Sequence, residues 1–137
     1  MTVTAAAPLT RTIRRTIAGE RGNNVLGFVM IFPLCLLIAL AALQFAVLYQ
    51  AKALAQGAAE EGARAASAET ATAGDGSAAA TAFAAISTTT LRDLNVTADR
   101  GATTATVTVT GTALSILPGY TLTVTQTAAL PVERITG

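Results

Sequence analysis

The sequence predicts an α+β protein: a long N-terminal transmembrane helix, then a small domain with one helix and a short antiparallel β-sheet of about three strands. Three observations predict it. The run Val25–Tyr49, VLGFVMIFPLCLLIALAALQFAVLY, holds no Asp, Glu, Lys or Arg. An Ala-rich stretch follows directly, with small residues recurring at three- and four-residue steps. Beyond Asn95 the pattern changes to alternation of Thr with Val, Ala or Leu.

The apolar run is the strongest signal. A helix of about 20 apolar residues crosses a bilayer core of about 30 Å. The charge-free zone extends from Gly22 to Ala51, and Gln44 is the one polar residue in its apolar body. Residues 1–21 carry Arg11, Arg14, Arg15 and Arg21 against Glu20, whereas Lys52, Glu60 and Glu61 follow the run. Positive charge on the near side predicts a single-pass protein with a cytoplasmic N-terminus and an extracytoplasmic C-terminal part. A cleaved secretory signal fits less well, because its apolar region is only about 7–15 residues long. That reading would release a soluble product beginning near Ala51–Ala58. Pro33 removes one backbone hydrogen bond and predicts a kink or local irregularity. Cys35 lies inside the run and is read as a packing residue facing lipid or protein.

The helix is expected to continue past the membrane to about residue 66. Ala51, Leu54, Ala55, Ala58, Ala59, Gly62 and Ala66 form a small-residue face, of the kind that lets helices approach closely. Lys52, Gln56, Glu60 and Arg64 fall on another face, with Glu60 and Arg64 spaced to pair. Gly57 and Gly62 should each weaken the helix by about 1 kcal/mol relative to Ala. Thr70–Ser77, TATAGDGS, reads as a linker. Ser77 is then the cap of a second helix over Ala78–Leu94, whose buried face would carry Ala79, Phe83, Ile86 and Leu94. The β-branched run Thr88–Thr90 should loosen it.

Val96–Ala98 leads to a turn at Asp99-Arg100-Gly101. Thr103–Thr110 alternates Ala105, Val107 and Val109 against Thr104, Thr106, Thr108 and Thr110. Leu114–Gly119 is a connection with Pro118-Gly119 as its turn. Tyr120–Gln126 sets Tyr120, Leu122 and Val124 against Thr121, Thr123 and Thr125, and Pro131 ends the strand. Such strands predict a sheet with one face buried against a helix. Asn95-Val96-Thr97 matches the N-glycosylation pattern, which three residues satisfy readily by chance.

Composition narrows function. Net charge is +1, so there is no basic footprint for nucleic acid. There is no His and one Cys, which excludes an intramolecular disulfide, a Cys/His metal cluster and a Ser–His pair. Glu60 and Glu61 are adjacent and point to different sides of a helix, Asp93 and Asp99 flank a short strand, and Gly74-Asp75-Gly76 is no phosphate cradle. The residues point to no enzyme, no cofactor and no metal. Ala and Thr bury little apolar area, so the part after residue 50 is expected to gain stability from neighbours of its own kind.

Glu20-Arg21-Gly22, then Gly27-Phe-Val-Met-Ile-Phe-Pro33 and an apolar run ending Gln44-Phe45, resembles the N-terminal signature of the TadE-like pseudopilins. These are minor pilins of the tight-adherence (Tad/Flp) branch of type IV pilus systems. Ala58-Ala59-Glu60-Glu61-Gly62-Ala63-Arg64-Ala65-Ala66 is similar to that family's helix motif. Leu114–Pro131 also resembles family members, so the likeness spans about residues 20–134. It implies a pilin-like helix held in the bacterial inner membrane, with other pilins and the Tad assembly machinery as partners. It also implies a prepilin peptidase that cuts between Gly22 and Asn23. The parts are then a cytoplasmic basic leader (1–22), a transmembrane helix continuing into an Ala-rich extracytoplasmic helix (23–66), and a small extracytoplasmic α+β domain (67–137). Ala58, Ala59, Glu61, Gly62, Ala63 and Arg64 would form the helix-packing motif.

The family usually carries Glu as the fifth residue after the cut, where this chain has Gly27. That substitution is compatible with a place at a filament end, with an assembly role in the membrane, with an unprocessed chain, or with Gly27 simply easing helix packing. The implied function is a membrane-anchored minor pilin that assembles or primes a Tad adhesion pilus and resides in the cell membrane and then the pilus. The alternative is a single-pass envelope protein with a small extracytoplasmic interaction domain outside any pilus.

Overall fold

The structure, a computed structural model, describes residues 13–87, 89–116 and 118–134. Arg11, Thr88 and Leu117 fall outside them. The architecture is α+β in the order α1 (Ile13–Ser67), α2 (Ala73–Ala84), a 3-10 turn (Ala85–Ser87), β1 (Leu91–Arg100), β2 (Thr104–Ala113) and β3 (Leu122–Pro131). The α1 helix continues through Pro33 and on to Ser67. The chain divides into two compact units, one ending at Ala41 and one beginning at Ala42.

In the second unit the three strands form an antiparallel meander in the order β1-β2-β3. The alternation in β2 decides its facing: Ala105, Val107, Val109, Gly111 and Ala113 are buried, and the intervening threonines are not. Val124 of β3 joins the buried face and Leu122 is half-buried, but Tyr120 is 70% exposed. Tyr120 precedes β3 in the turn that Gly119 makes at φ 86°, so the strand's alternation does not reach it. The first turn is also later than expected. Asp99 and Arg100 belong to β1, and the chain turns at Gly101–Thr103, where the Gly101 N–H donates to the Thr104 carbonyl at 2.8 Å.

The second helix departs most from expectation. It starts at Ala73 rather than Ala78 and ends at Ala84, and Leu91–Leu94 is strand. Thr72, not Ser77, is the N-cap. Its Oγ1 accepts from the Asp75 N–H at 3.3 Å, and the Asp75 carboxylate accepts from the Thr72 N–H at 2.7 Å. Two otherwise unpaired donors are thereby satisfied reciprocally. The buried face is Gly76, Ala80 and Ala84, and Ile86 is 80% exposed.

This box carries a pH signature. The Thr72 backbone N–H, then its hydroxyl, holds the Asp75 carboxyl below its ordinary 3.8. A group depressed in the folded state stabilises the fold above its unfolded pKa and loses that contribution as pH falls through the folded value. Thermal unfolding in micelles should therefore find Asp75→Asn less stable than the parent at neutral pH, with the gap closing in acid below 3.8. Thr72→Ala should cost about 1 kcal/mol.

The core explains why so small a unit packs with so few large side chains. Its cluster joins Ala51, Ala55, Ala58, Ala59 and Ala63 of α1 to Ala80 and Ala84 of α2 and to Leu91, Val107, Val109, Ala113 and Val124 of the sheet. Helix α2 runs back along α1. A Cβ placed on Gly62 would lie 2.7 Å from the Gly76 carbonyl oxygen, and one on Gly57 would lie 3.0 Å from the Phe83 ring. Backbones approach this closely only where side chains are absent. Gly62 thus supplies a contact surface, beyond its cost in helix propensity.

Candidate functional site

The described residues hold no group of three or more His, Cys, Asp or Glu side chains placed to bind a metal. The features that can act are therefore surfaces. The first is α1 itself, whose segment from Val25 is long and apolar enough to cross a membrane. Val25, Leu26, Phe28, Ile31, Leu37, Ile38 and Leu43 are all more than half exposed. Cys35 is exposed as well. Phe28 and Phe32, one turn apart, stack with ring centroids at 5.8 Å. An apolar surface this extended marks a lipid or protein contact.

Gln44 sits within that surface and has partners distant in sequence. Its Oε1 accepts from the Ile116 N–H at 2.8 Å, and its Nε2 reaches the Leu114 carbonyl at 3.4 Å. The one amide in the run thus pins the β2–β3 connection. Its isolation among apolar residues was a visible signal, but the partners 70 and 72 residues away were not.

The second surface is the small-residue face beyond the apolar run. Ala58, Ala59, Gly62 and Ala63 are buried inside the unit, whereas Glu61 and Arg64 stand at its surface. The face therefore packs against the chain's own α2 and sheet. The expected pairing of Glu60 with Arg64 is replaced. Arg64 bonds Glu61 at 2.7 Å, and Gln56, from the preceding turn, donates to Glu60 at 2.7 Å. A surface pair of this kind contributes at most about 1 kcal/mol.

Gly22 and Asn23 fall within the bounds of α1. At Gly27 a Cβ would meet nothing within 4 Å. Among the described residues no packing requires glycine there, and a longer side chain has room.

The third surface is the outer face of the sheet. Thr108 and Thr127 pair their hydroxyls at 3.0 Å, and Thr110 and Thr125 at 3.2 Å. This gives a hydroxyl-rich face in the register that aligns Thr97, Thr108 and Thr127 across all three strands, with exposed Asp99 opposite Thr106 on the same side. Asn95 and Thr97 of the glycosylation pattern are exposed at its β1 edge. The opposite end of the unit is closed by Arg100, which donates to the carbonyl of Ala66 in the last turn of α1 and to those of Ala68 and Glu69 just past it. Neither this cap nor the Gly62–Gly76 contact was expected from the sequence.

Among known families, the TadE-like protein family matches residues 28–64. The match begins in the apolar run and ends at Arg64, and so covers both the exposed apolar helix and most of the small-residue face. No curated protein and no solved structure matches the chain.

Proposed function

We propose, from the TadE-like signature across residues 28–64, that this chain is a membrane-anchored minor pilin that assembles or primes a Tad-type adhesion pilus. The observation that carries the reading is where the signature falls, on one helix that is apolar and unpartnered at one end and packed into a small domain at the other. The exposed end suits a bilayer before assembly and neighbouring pilin helices afterwards. The packed end fixes an α+β head on the same helix. Because Ala58–Ala66 is largely occupied within the chain, contacts between subunits would use Val25–Tyr49 and the outer faces of the head. The role is structural and needs no catalytic residue. The N-terminus is cytoplasmic, and the head stands on the far side of the membrane.

Processing provides the test. Co-expression with a Tad prepilin peptidase, followed by mass spectrometry of the intact chain, should find a product beginning at Asn23. Gly22→Ala should leave the leader attached and prevent recovery of the protein in sheared filaments. A parent chain that keeps Met1–Gly22 alongside active peptidase would sink the processing step. Unchanged piliation after deletion of the gene would sink the pilus role.

A further inference from the structure

We propose that Asp93-Leu94-Asn95-Val96-Thr97 is an N-glycosylation site, with the Asn95 amide as acceptor and a polyprenyl-diphosphate-linked oligosaccharide as donor. The inference rests on the extracytoplasmic head of the reading above and adds a modification that such a head does not require.

Asn-x-Thr alone is a weak pattern, and placement is what strengthens it here. Asn95 and Thr97 are exposed, while Leu94, Val96 and Ala98 are half-buried against the core. Successive side chains of a strand point to opposite faces. The acceptor amide and the hydroxyl two residues on therefore share the outer face, where one enzyme site can hold both. The residue between them is Val96, and the pattern forbids only Pro there.

Transfer also requires the acceptor segment to be drawn into an enzyme cleft, which is why such sites usually lie in surface loops. Two features give this strand comparable freedom. First, β1 is an edge strand whose one strand neighbour is β2. Second, the ladder breaks immediately before the acceptor. Arg92 faces Thr112 and Asn95 faces Thr110, so Asp93 and Leu94 together oppose Gly111. Asp93 adopts φ 50° in this bulge. A bulge disrupts the ladder locally and bends the strand, and segments with fewer pairing partners open at lower free energy. Asn95 thus has a strand partner on one side only and a break in pairing just ahead of it.

Asp93 adds a third element. It is exposed, two residues before the acceptor, and offers a carboxylate that a cationic side chain of the transferase can bind.

The chemistry balances with the donor named. Asn95 Nδ2 bonds to the anomeric carbon of the first sugar as the bond from that carbon to the diphosphate oxygen breaks. The polyprenyl diphosphate leaves with the bonding electrons, and Nδ2 yields one proton to a base of the enzyme. The product carries a bulky, solubilising group on the outer face of the sheet.

The full chain would be co-expressed in a bacterial host that supplies this donor and an oligosaccharyltransferase. A flexible acceptor tag, Asp-Gln-Asn-Ala-Thr, placed after Gly137 reports whether the head meets the enzyme at all. Trypsin cuts after Arg92 and Arg100, so residues 93–100 form a peptide in which Asn95 is the one Asn. Mass spectrometry should find the glycan on that peptide and on the tag. Asn95→Gln and Thr97→Val should each lose it from the peptide, and Thr97→Ser should keep it. Asp93→Asn removes the charge but keeps a residue suited to positive φ. It should slow the modification about tenfold, as for the loss of one charge-assisted contact. A glycosylated tag beside an unmodified Asn95 would overturn the site and leave the extracytoplasmic head standing. A glycan that stays on the peptide of Asn95→Gln would be carried by Thr97, and would overturn it too. An unmodified tag and an unmodified Asn95 together would remove the extracytoplasmic placement, and the site with it.

Discussion

Gly62→Val should unfold the second unit, with a loss above about 3 kcal/mol, a large share of the 5–15 kcal/mol typical of a whole domain. The reason is geometric. The new Cβ would stand 2.7 Å from the Gly76 carbonyl oxygen, 2.8 Å from the Ala80 Cβ and 3.0 Å from Val107 Cγ1. Three elements meet at that point, and two of the contacts are a backbone atom and a Cβ that cannot swing aside. Valine then adds two methyl groups to a space already full. Gly62→Ala separates the opposing terms. Alanine gains about 1 kcal/mol in helix propensity, and overpacking costs about 1–3 kcal/mol. With a contact below 3.0 Å against backbone, the cost should win, and α2 should be displaced. Gly57→Ala is the control. Its Cβ would meet only the edge of the half-buried Phe83 ring at 3.0 and 3.1 Å, and a ring can turn. That variant should stay within about 1 kcal/mol of the parent. Thermal unfolding followed by circular dichroism in micelles measures all three. A Gly62→Val chain that melts with the parent would show that α1 and α2 do not meet at this point.

The same contact shows what the sequence made legible and what it did not. Period two in Thr103–Thr110 was enough to place Val107 and Val109 inward, because a strand with one buried face has no other register. The long helix was equally plain, since between Val25 and Ala66 only Pro33 and three glycines oppose it. Around the second helix, local signals misled. TATAGDGS reads as linker because Gly-Asp-Gly breaks helices, yet Gly76 is there to admit Gly62, a need set by a partner in another element. The Thr72–Asp75 spacing of a capping box was present and could have placed the start correctly. At the other end, Leu91 and Leu94 are three apart, which fits a helix face. In the structure the register shifts between Arg92 and Asn95, and Asp93 adopts φ 50°. That bulge turns Leu91 and Leu94 to the same side of a strand, and Leu91 covers Gly111. One inserted residue thus imitated helical spacing. Among the functional features, the apolar helix was legible from composition alone, whereas the Gln44 tie depends on a fold that brings residues 70 apart together.

Arg100→Ala should cost about 2–4 kcal/mol, since hydrogen bonds to charged groups contribute about 1.5–3 kcal/mol each and these share one partly solvated side chain. Arg100 Nε donates to the Ala66 carbonyl at 2.7 Å, and one terminal nitrogen donates to those of Ala68 at 2.7 Å and Glu69 at 3.0 Å. The last carbonyls of a helix have no partners within it and carry partial negative charge. A planar guanidinium answers both needs, and it reaches across from the end of β1 to do so. Arg100→Lys keeps the charge but loses the fork, so it should recover less than half of the loss. Arg100→Met keeps most of the apolar stem and should resemble alanine if hydrogen bonding dominates packing. Hydrogen exchange localises the effect. Protection should fall first in the last turns of α1 and at the Glu133 N–H, which donates to the Ser67 carbonyl at 2.9 Å beside the cap. Membrane recovery should not change, because the apolar run lies at the other end of the helix. Incorporation into filaments should fall if assembly requires a head held rigidly on its stem. An Arg100→Ala chain that is destabilised as predicted yet enters filaments normally would show that the distal end of the head takes no part in assembly.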